Sequence, residues 1–243
     1  MPLSETGTRI VQVMKDRKVF KHTSEHGLHF TGANVMVVKF CGDGLKAHDK
    51  VAHQRKICAQ IGIPPEHLHL LSTNGGALWM SAHPKFVAAF PRHFNEVYPK
   101  SEMDLDEVVE SCDLMDTNIV GVYGHGPCAK ARQAGMNVFE VVDSVVTARA
   151  NVLAHGERMR SPDKPSLIVL PYYHIESGHK ETFLLEPELF LEQRDELEYI
   201  SYEIARAHAG SAWVSHAISV PSVPLQEPPA FFLTIFNRQN NIV

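Results

Sequence analysis

Two short turns contain the residue types that could do chemistry in this chain. The turn CGDGL contains Cys41 and Asp43, and the turn HGPC contains His125 and Cys128. Cysteine sulfur and imidazole nitrogen are ligands that suit zinc, at about 2.3 Å for sulfur and about 2.0–2.1 Å for nitrogen. Three protein ligands leave a fourth tetrahedral position, which is typical of a catalytic zinc site. We therefore expect Cys41, His125 and Cys128 to bind one zinc ion.

The acidic residue of the first turn is the candidate catalytic group. Asp43 lies two residues after Cys41. Its carboxylate could accept the proton of a zinc-bound hydroxide and orient the oxygen lone pair, or it could become the fourth ligand and switch the site off. Zinc lowers the pKa of bound water to about 7. Two thiolates donate more charge than three histidines, so neighbouring groups must compensate if the bound water is to stay acidic.

Other interpretations of these cysteines and histidines are less favoured. A single cysteine at a strand end is usually a small buried apolar residue, and Cys58 and Cys112 fall on apolar helix faces, where we expect core thiols. An unrelated thiol enzyme would use Cys128 as nucleophile and His125 as base. Three residues apart on a tight turn, these two side chains are better placed to share a metal.

Each of the two turns follows a short run of mostly apolar, β-branched residues. The runs ANVMVVKF (33–40) and NIVGVYG (118–124) predict strands buried on both faces. HLHLLST (67–73) predicts another strand, and residues 166–187 predict a strand, a turn at 176–178 and a return strand. Alternation with helices predicts an α/β fold with a mostly parallel central β-sheet flanked by helices and an antiparallel edge strand. Ligands gather at the carboxyl ends of such strands, which would bring the two turns together.

Helical spacing of apolar residues places the helices between these strands. Ser101 and Asp104 form a candidate capping box, Asn137 is a candidate N-cap, and Pro187 suits a first helical turn. We expect one domain over 1–243, with an N-terminal helical arm (1–30), a zinc-binding α/β core (33–187), and a C-terminal helix and tail (188–243). The predicted helices span residues 8–20, 46–61, 101–115, 137–154 and about 187–208.

Composition excludes several classes of protein. The chain has 243 residues, 44% of them hydrophobic, and a net charge of −5, which suits a domain with a large core and argues against binding nucleic acid. It has no apolar run long enough to span a membrane and no signal sequence at its N-terminus, so we expect a cytoplasmic protein. In that compartment the four cysteines are expected to be thiols or metal ligands.

The order of these turns resembles the β-class carbonic anhydrase family. CGDGL corresponds to the family's C-x-D-x-R turn, and HGPC corresponds to its H-x-x-C turn. STNGGAL (72–78) takes the place of the family's asparagine- and glycine-containing turn. LPYYHIESGHKETFLL (170–185) is similar to its later strand, acidic turn and return strand. The resemblance covers residues 33 to about 187, and only the ligand turns are specific.

The resemblance implies a zinc-dependent reversible hydration of carbon dioxide to bicarbonate by zinc-bound hydroxide. It implies Cys41, His125 and Cys128 as zinc ligands, Asp43 as the orienting residue, and a homodimer or larger homo-oligomer. Leu45 stands where the family has an arginine that keeps the aspartate off the metal, Ala129 replaces a glycine, and the stretch from Cys41 to His125 is longer than usual, with an insertion near 81–101.

Because of these departures, two alternatives stay open. One is a carbon disulfide or carbonyl sulfide hydrolase that uses the same site. The other is a non-catalytic zinc-binding protein, which the loss of the arginine would favour.

Overall fold

A six-stranded mixed sheet organises the chain. The computed structural model describes residues 3–25, 27–30, 32–33, 35–42, 47–175 and 180–212. Within these ranges the sheet has the order β1-β6-β5-β4-β2-β3. Strands β2, β3, β4 and β5 are parallel, and β6 runs antiparallel to both β5 and β1. This confirms the predicted fold class. The strands are β1 (Phe20–His22), β2 (Met36–Cys41), β3 (Leu68–Thr73), β4 (Ile119–Gly126), β5 (Ile168–Ile175) and β6 (Glu181–Leu185).

Helices cover both faces of the sheet. Helix α2 packs through Ile57 and Cys58 on the face that carries Val38 and Phe40, while α5 and α7 cover the opposite face. Strand β2 is therefore buried along its whole length, as its apolar sequence predicts. The helices are α1 (Glu5–Asp16), α2 (Ala47–Gln60), α3 (Ala77–Ser81), α4 (Pro84–Ala89), α5 (Lys100–Leu114), α6 (Ala129–Gln133), α7 (Val138–Met159), α8 (Pro187–Glu192) and α9 (Arg194–Ala212), with a 3₁₀ turn at Pro91–His93.

The sequence predicts the N-terminal cap of one helix correctly and that of another incorrectly. The Asn137 side chain caps α7, and Glu140 completes a reciprocal capping box, so the predicted start of this helix is confirmed. The predicted capping box between Ser101 and Asp104 is wrong: α5 begins one residue before Ser101, and its N-cap residue, Pro99, makes no side-chain capping bond. The Asp104 carboxylate instead contacts a buried lysine of β2.

Other helix predictions differ from the structure in their bounds, and α7 continues to Met159 rather than ending at 154. The N-terminal helix spans 5–16 rather than 8–20: the Ser4 side chain caps its start, and Lys18 adopts a left-handed conformation (φ 59°) just after its end. The chain then forms β1, which pairs with β6 and lies outside it at the sheet edge. The helix predicted for about 187–208 begins at Pro187 as expected but is divided at Gln193 into α8 and α9.

The chain divides into two compact units, Met1–His208 and Ala209–Val243. The first unit contains the whole sheet. Of the second unit only residues 209–212, the end of α9, are described, so the predicted C-terminal tail lies outside the described residues. The single-domain organisation stays a prediction. Among the helices that the structure describes, none has both the length and the apolarity needed to cross a membrane.

A buried ion pair fastens α5 to the central strand. The Lys39 side chain is fully buried, and its Nζ lies 3.0 Å from Asp104 Oδ1 and 2.6 Å from Glu107 Oε2. Lys100 also reaches Asp104, at 3.2 Å. Because Lys39 precedes Cys41 by two residues on the same face of β2, this ion pair also fixes the end of the strand that carries Cys41.

We predict that Lys39→Met destabilises the fold. Removing one partner of a buried ion pair costs about 3–5 kcal/mol. Lys100 still compensates part of the Asp104 charge, so we expect a loss of about 3 kcal/mol in the free energy of unfolding. Urea denaturation followed by circular dichroism measures it. Lys164→Met is the control, because it removes an exposed ion pair with Asp116 and should leave stability nearly unchanged. Equal stability of both variants would contradict the assignment.

Candidate metal centre

The candidate site lies where the order of the strands reverses. From β2 the chain crosses to β3 on one side and later returns to β4 on the other, and α2 and α5 cover opposite faces. Pairing between β2 and β4 extends only as far as Lys39 and Val122, whereas β2–β3 pairing reaches Cys41 and β4–β5 pairing reaches Gly126. A crevice therefore opens between the carboxyl ends of β2 and β4, as expected at such a switch point.

Three buried side chains converge in this crevice. Cys41 ends β2, His125 is the penultimate residue of β4, and Cys128 is the residue just before α6. One ligand atom from each lies within 4.8 Å of the others, and the two sulfurs are 4.0 Å apart. A single metal ion could join all three atoms. The structure thus brings together the three residues that the sequence predicts as ligands.

A glycine turn closes the site on the Cys41 side. The Gly75 amide donates a hydrogen bond to Cys41 Sγ at 3.1 Å. Gly76 has φ 51°, and a Cβ there would lie 2.6 Å from Cys41 N and 2.8 Å from Phe40 C, so only glycine fits without displacing backbone. The Trp79 indole donates to the Asn74 carbonyl at 2.7 Å and holds the turn in place.

Backbone amides also surround the second sulfur. The amides of Lys130 and Ala131, in the first turn of α6, donate to Cys128 Sγ. Amides in a first helical turn have no acceptor within the helix and so are available to an anion. Both sulfurs therefore lie among donors that favour the thiolate form.

The two sulfurs are electrostatically linked. The hydrogen bond from Cys128 lowers the pKa of Cys41 to about 3, with further lowering by His125 and by the Gly75 amide, against burial, which raises it. The same hydrogen bond, burial and the Cys41 charge raise the pKa of Cys128 well above its ordinary value. As thiols alone, the pair keeps one proton between two sulfurs. A cation at that position would compensate both charges.

The other two cysteines differ in environment. Burial raises the pKa of Cys58 to about 11 and that of Cys112 to about 12. Both are buried among apolar groups of the core, so they remain neutral thiols near neutral pH. The prediction that Cys58 and Cys112 are core residues is confirmed.

Asp43 and Leu45 lie outside the described residues, so the roles predicted for the aspartate and for the missing arginine stay predictions. His174 lies beside His125 in the β4–β5 register, and its Nδ1 is 2.7 Å from Thr182 Oγ1.

Sequence reasoning missed the groups that surround the ligands. The sequence indicates the turn at Asn74-Gly75-Gly76 but not the hydrogen bond from the Gly75 amide to Cys41. It also does not indicate that amides in the first turn of α6 donate to Cys128. The adjacent glycines at 75 and 76, directly after a strand, are the signal that could have indicated a close backbone approach.

Comparisons of the chain with family models, with curated proteins and with solved structures find no match. The functional argument therefore depends on the chemistry and geometry of the site.

We predict that Cys41→Ser, His125→Ala and Cys128→Ser each abolish metal binding. Losing a group that only supports a ligand costs about 10–100-fold in affinity, so losing a ligand should cost more. Elemental analysis of the purified variants measures the metal bound per chain. Cys58→Ala and Cys112→Ala are controls that should keep the metal. A ligand variant that stays fully loaded would remove its residue from the site.

We predict that Gly76→Ala weakens metal binding by about 10–100-fold, the range for loss of a supporting interaction. The added Cβ must displace the backbone of Cys41. Gly135→Ala is the matched control, because Gly135 also has a positive φ (66°) but a Cβ there meets nothing within 4 Å. Competition with a chromogenic chelator gives both affinities. Equal affinities would show that the approach of the turn to Cys41 does not matter to the site.

Proposed function

We propose that this protein is a zinc enzyme that catalyses the reversible hydration of carbon dioxide to bicarbonate. The observation that carries the proposal is the buried group of two cysteines and one histidine at the carboxyl edge of the sheet. The order of the ligand turns along the sequence, which resembles β-class carbonic anhydrases, supports the same function. Assembly as a homodimer or larger oligomer stays a prediction.

The donor set fits zinc better than other common ions. Thiolate and imidazole are soft or intermediate ligands that suit zinc, whereas magnesium and calcium prefer oxygen. Two sulfurs at about 2.3 Å from a tetrahedral zinc lie about 3.8 Å apart, close to the 4.0 Å between the two sulfurs here. Three protein ligands leave a fourth position, as catalytic zinc sites do.

When bound, zinc would lower the pKa of a coordinated water to about 7. The overall reaction combines one water with carbon dioxide and yields bicarbonate and one proton. The amides of Gly75, Lys130 and Ala131 offset part of the sulfur charge. In this proposal the Asp43 carboxylate accepts a hydrogen bond from the reacting water and orients its lone pair toward the substrate carbon.

We predict that the zinc-loaded protein accelerates carbon dioxide hydration and that activity rises between about pH 6.5 and 9. Leu45 stands where the family has an arginine, so Asp43 would be able to compete for the metal, and hydroxide would compete with Asp43 better at high pH. Stopped-flow assays with a pH indicator measure the rate. Asp43→Ala should keep its zinc and lose about 100-fold or more in turnover, whereas Asp163→Ala, an exposed control, should change nothing.

The same preparation separates the alternatives. Turnover of carbon disulfide or carbonyl sulfide without turnover of carbon dioxide would replace the proposal with a hydrolase. A folded protein with one zinc per chain and no turnover of any of these molecules at any pH would identify a non-catalytic zinc-binding protein. A flat pH profile would argue against competition by Asp43, and unchanged turnover of Asp43→Ala would remove this residue from the mechanism.

A further inference from the structure

The exposed side of α9 has a regular pattern of aromatic and charged side chains. Tyr199 and Tyr202 are 65% and 61% exposed, whereas Leu197 on the same helix is buried. Asp195 precedes Tyr199 by four residues and Arg206 follows Tyr202 by four, and both charged residues are exposed. At about 100° per residue, these four positions fall within about 60° of one another around the helix axis. They therefore form one stripe, which we call the α9 stripe.

The order of residues in the α9 stripe is complementary to itself when the helix is reversed. A second copy of α9 can be laid antiparallel on the first, with a two-fold axis midway between the two tyrosines. Tyr199 then faces Tyr202 of the second copy, and Asp195 faces Arg206 of the second copy, at both ends of the pair. In a parallel pair each charge would face an identical charge. Charge complementarity thus selects an antiparallel second copy as the occupant.

Two charged residues beside the stripe are compensated within their own chain. Arg17 Nη1 lies 3.0 Å from Glu196 Oε2, and Arg194 Nε lies 2.8 Å from Asp143 Oδ1. Glu196 and Arg194 therefore add little net charge to this surface.

The remaining acids lie at the margins of the stripe. Glu198 and Glu203 are about 60° and 80° from Asp195 around the axis, on opposite sides, where screening by salt reduces their repulsion of a second copy. Arg206 Nη1 is 3.5 Å from Glu203 Oε1, and the two side chains are 69% and 39% exposed. An exposed ion pair of this kind is weak, so Arg206 can also contact an acid of a second copy.

We propose that α9 pairs antiparallel with α9 of a second copy of this chain through the α9 stripe. Tyrosine suits such a surface, because its ring is apolar and its hydroxyl can stay in water. A fully enclosed tyrosine buries about 150–250 Å², so the exposed parts of four rings supply roughly 360–600 Å². Standard stable interfaces bury at least about 1,200 Å². The α9 contact is therefore a weak one, and we expect a dissociation constant in the micromolar range.

The contact does not depend on the proposed function, because it requires neither a metal nor turnover. It would supply one surface for the homo-oligomer that the sequence predicts.

Sedimentation velocity of the full chain between about 5 and 500 µM measures the association. The wild type should show a concentration-dependent doubling of mass, and Tyr202→Ala should raise the midpoint concentration about tenfold or more. Leu114→Ala is the control, because Leu114 is 77% exposed on α5 and lies outside the stripe. No doubling by the wild type, or equal midpoints for folded Tyr202→Ala and the wild type, would overturn the proposal.

Reversing the charges tests the antiparallel register. Asp195→Arg makes the stripe basic at both ends, and Arg206→Asp makes it acidic at both ends, so each variant alone should associate about tenfold or more weakly. An equimolar mixture of the two variants places an arginine opposite an aspartate at both ends, and its association should return to the wild-type range. A role of either residue within its own chain would give no such rescue. A mixture that associates no better than its components would refute the register.

The two proposals fail in different ways. Hydration of carbon dioxide by a protein that shows no doubling of mass would reject the α9 contact and leave the proposed function standing. Association that depends on the α9 stripe, in a protein without turnover, would do the reverse.

Discussion

Two cysteine sulfurs held 4.0 Å apart in a buried crevice are the constraint on which the rest of this structure depends. Two thiolates at that distance repel each other strongly away from water, so the pair must keep a proton or compensate its charge with a cation. The surroundings could accommodate such a cation. Backbone amides point at both sulfurs, His125 lies beside them, and all three side chains are buried. Cys58 and Cys112, by contrast, lie singly in the core, and burial raises the pKa of each.

The fold brings the two sulfurs together because the connections after β2 and β3 cross the sheet on opposite faces. The helices that follow β2 and β3 cover opposite faces of the sheet, and this divergence leaves the space between the carboxyl ends of β2 and β4 open to side chains. Beyond Lys39 and Val122 the two strands separate, and the space between them receives Cys41 from one strand and His125 from the other. The buried contact of Lys39 with Asp104 fastens α5 to β2 just below this point. Loss of that contact would therefore affect both stability and the position of Cys41.

The sequence predicts the parts of this arrangement that depend on local pattern. Apolar β-branched runs locate the central strands, and the rule that ligands gather at strand ends brings the two ligand turns together. The sequence does not predict the features that depend on contacts between residues far apart in the chain. Asp104 is three residues from Ser101 and suits a capping box, but a lysine 65 residues away in sequence takes its carboxylate. The N-terminal helix stops early at Lys18, and the segment beyond it is a strand only because β6 offers an edge.

The amides around the sulfurs bear on how reactive a metal at this centre can be. Two thiolates donate more charge to a metal than imidazoles do, which weakens its ability to acidify a bound water. Hydrogen bonds to a ligating sulfur withdraw part of that charge, an effect of outer groups that tunes metal sites in general. Here Gly75 acts on Cys41, while Lys130 and Ala131 act on Cys128. Because these donors are main-chain groups, side-chain substitutions leave them in place, and only the glycine turn and the first turn of α6 can change them. With a metal bound, the main-chain geometry of the glycine turn and of the first turn of α6 would therefore tune how strongly the two sulfurs donate to it.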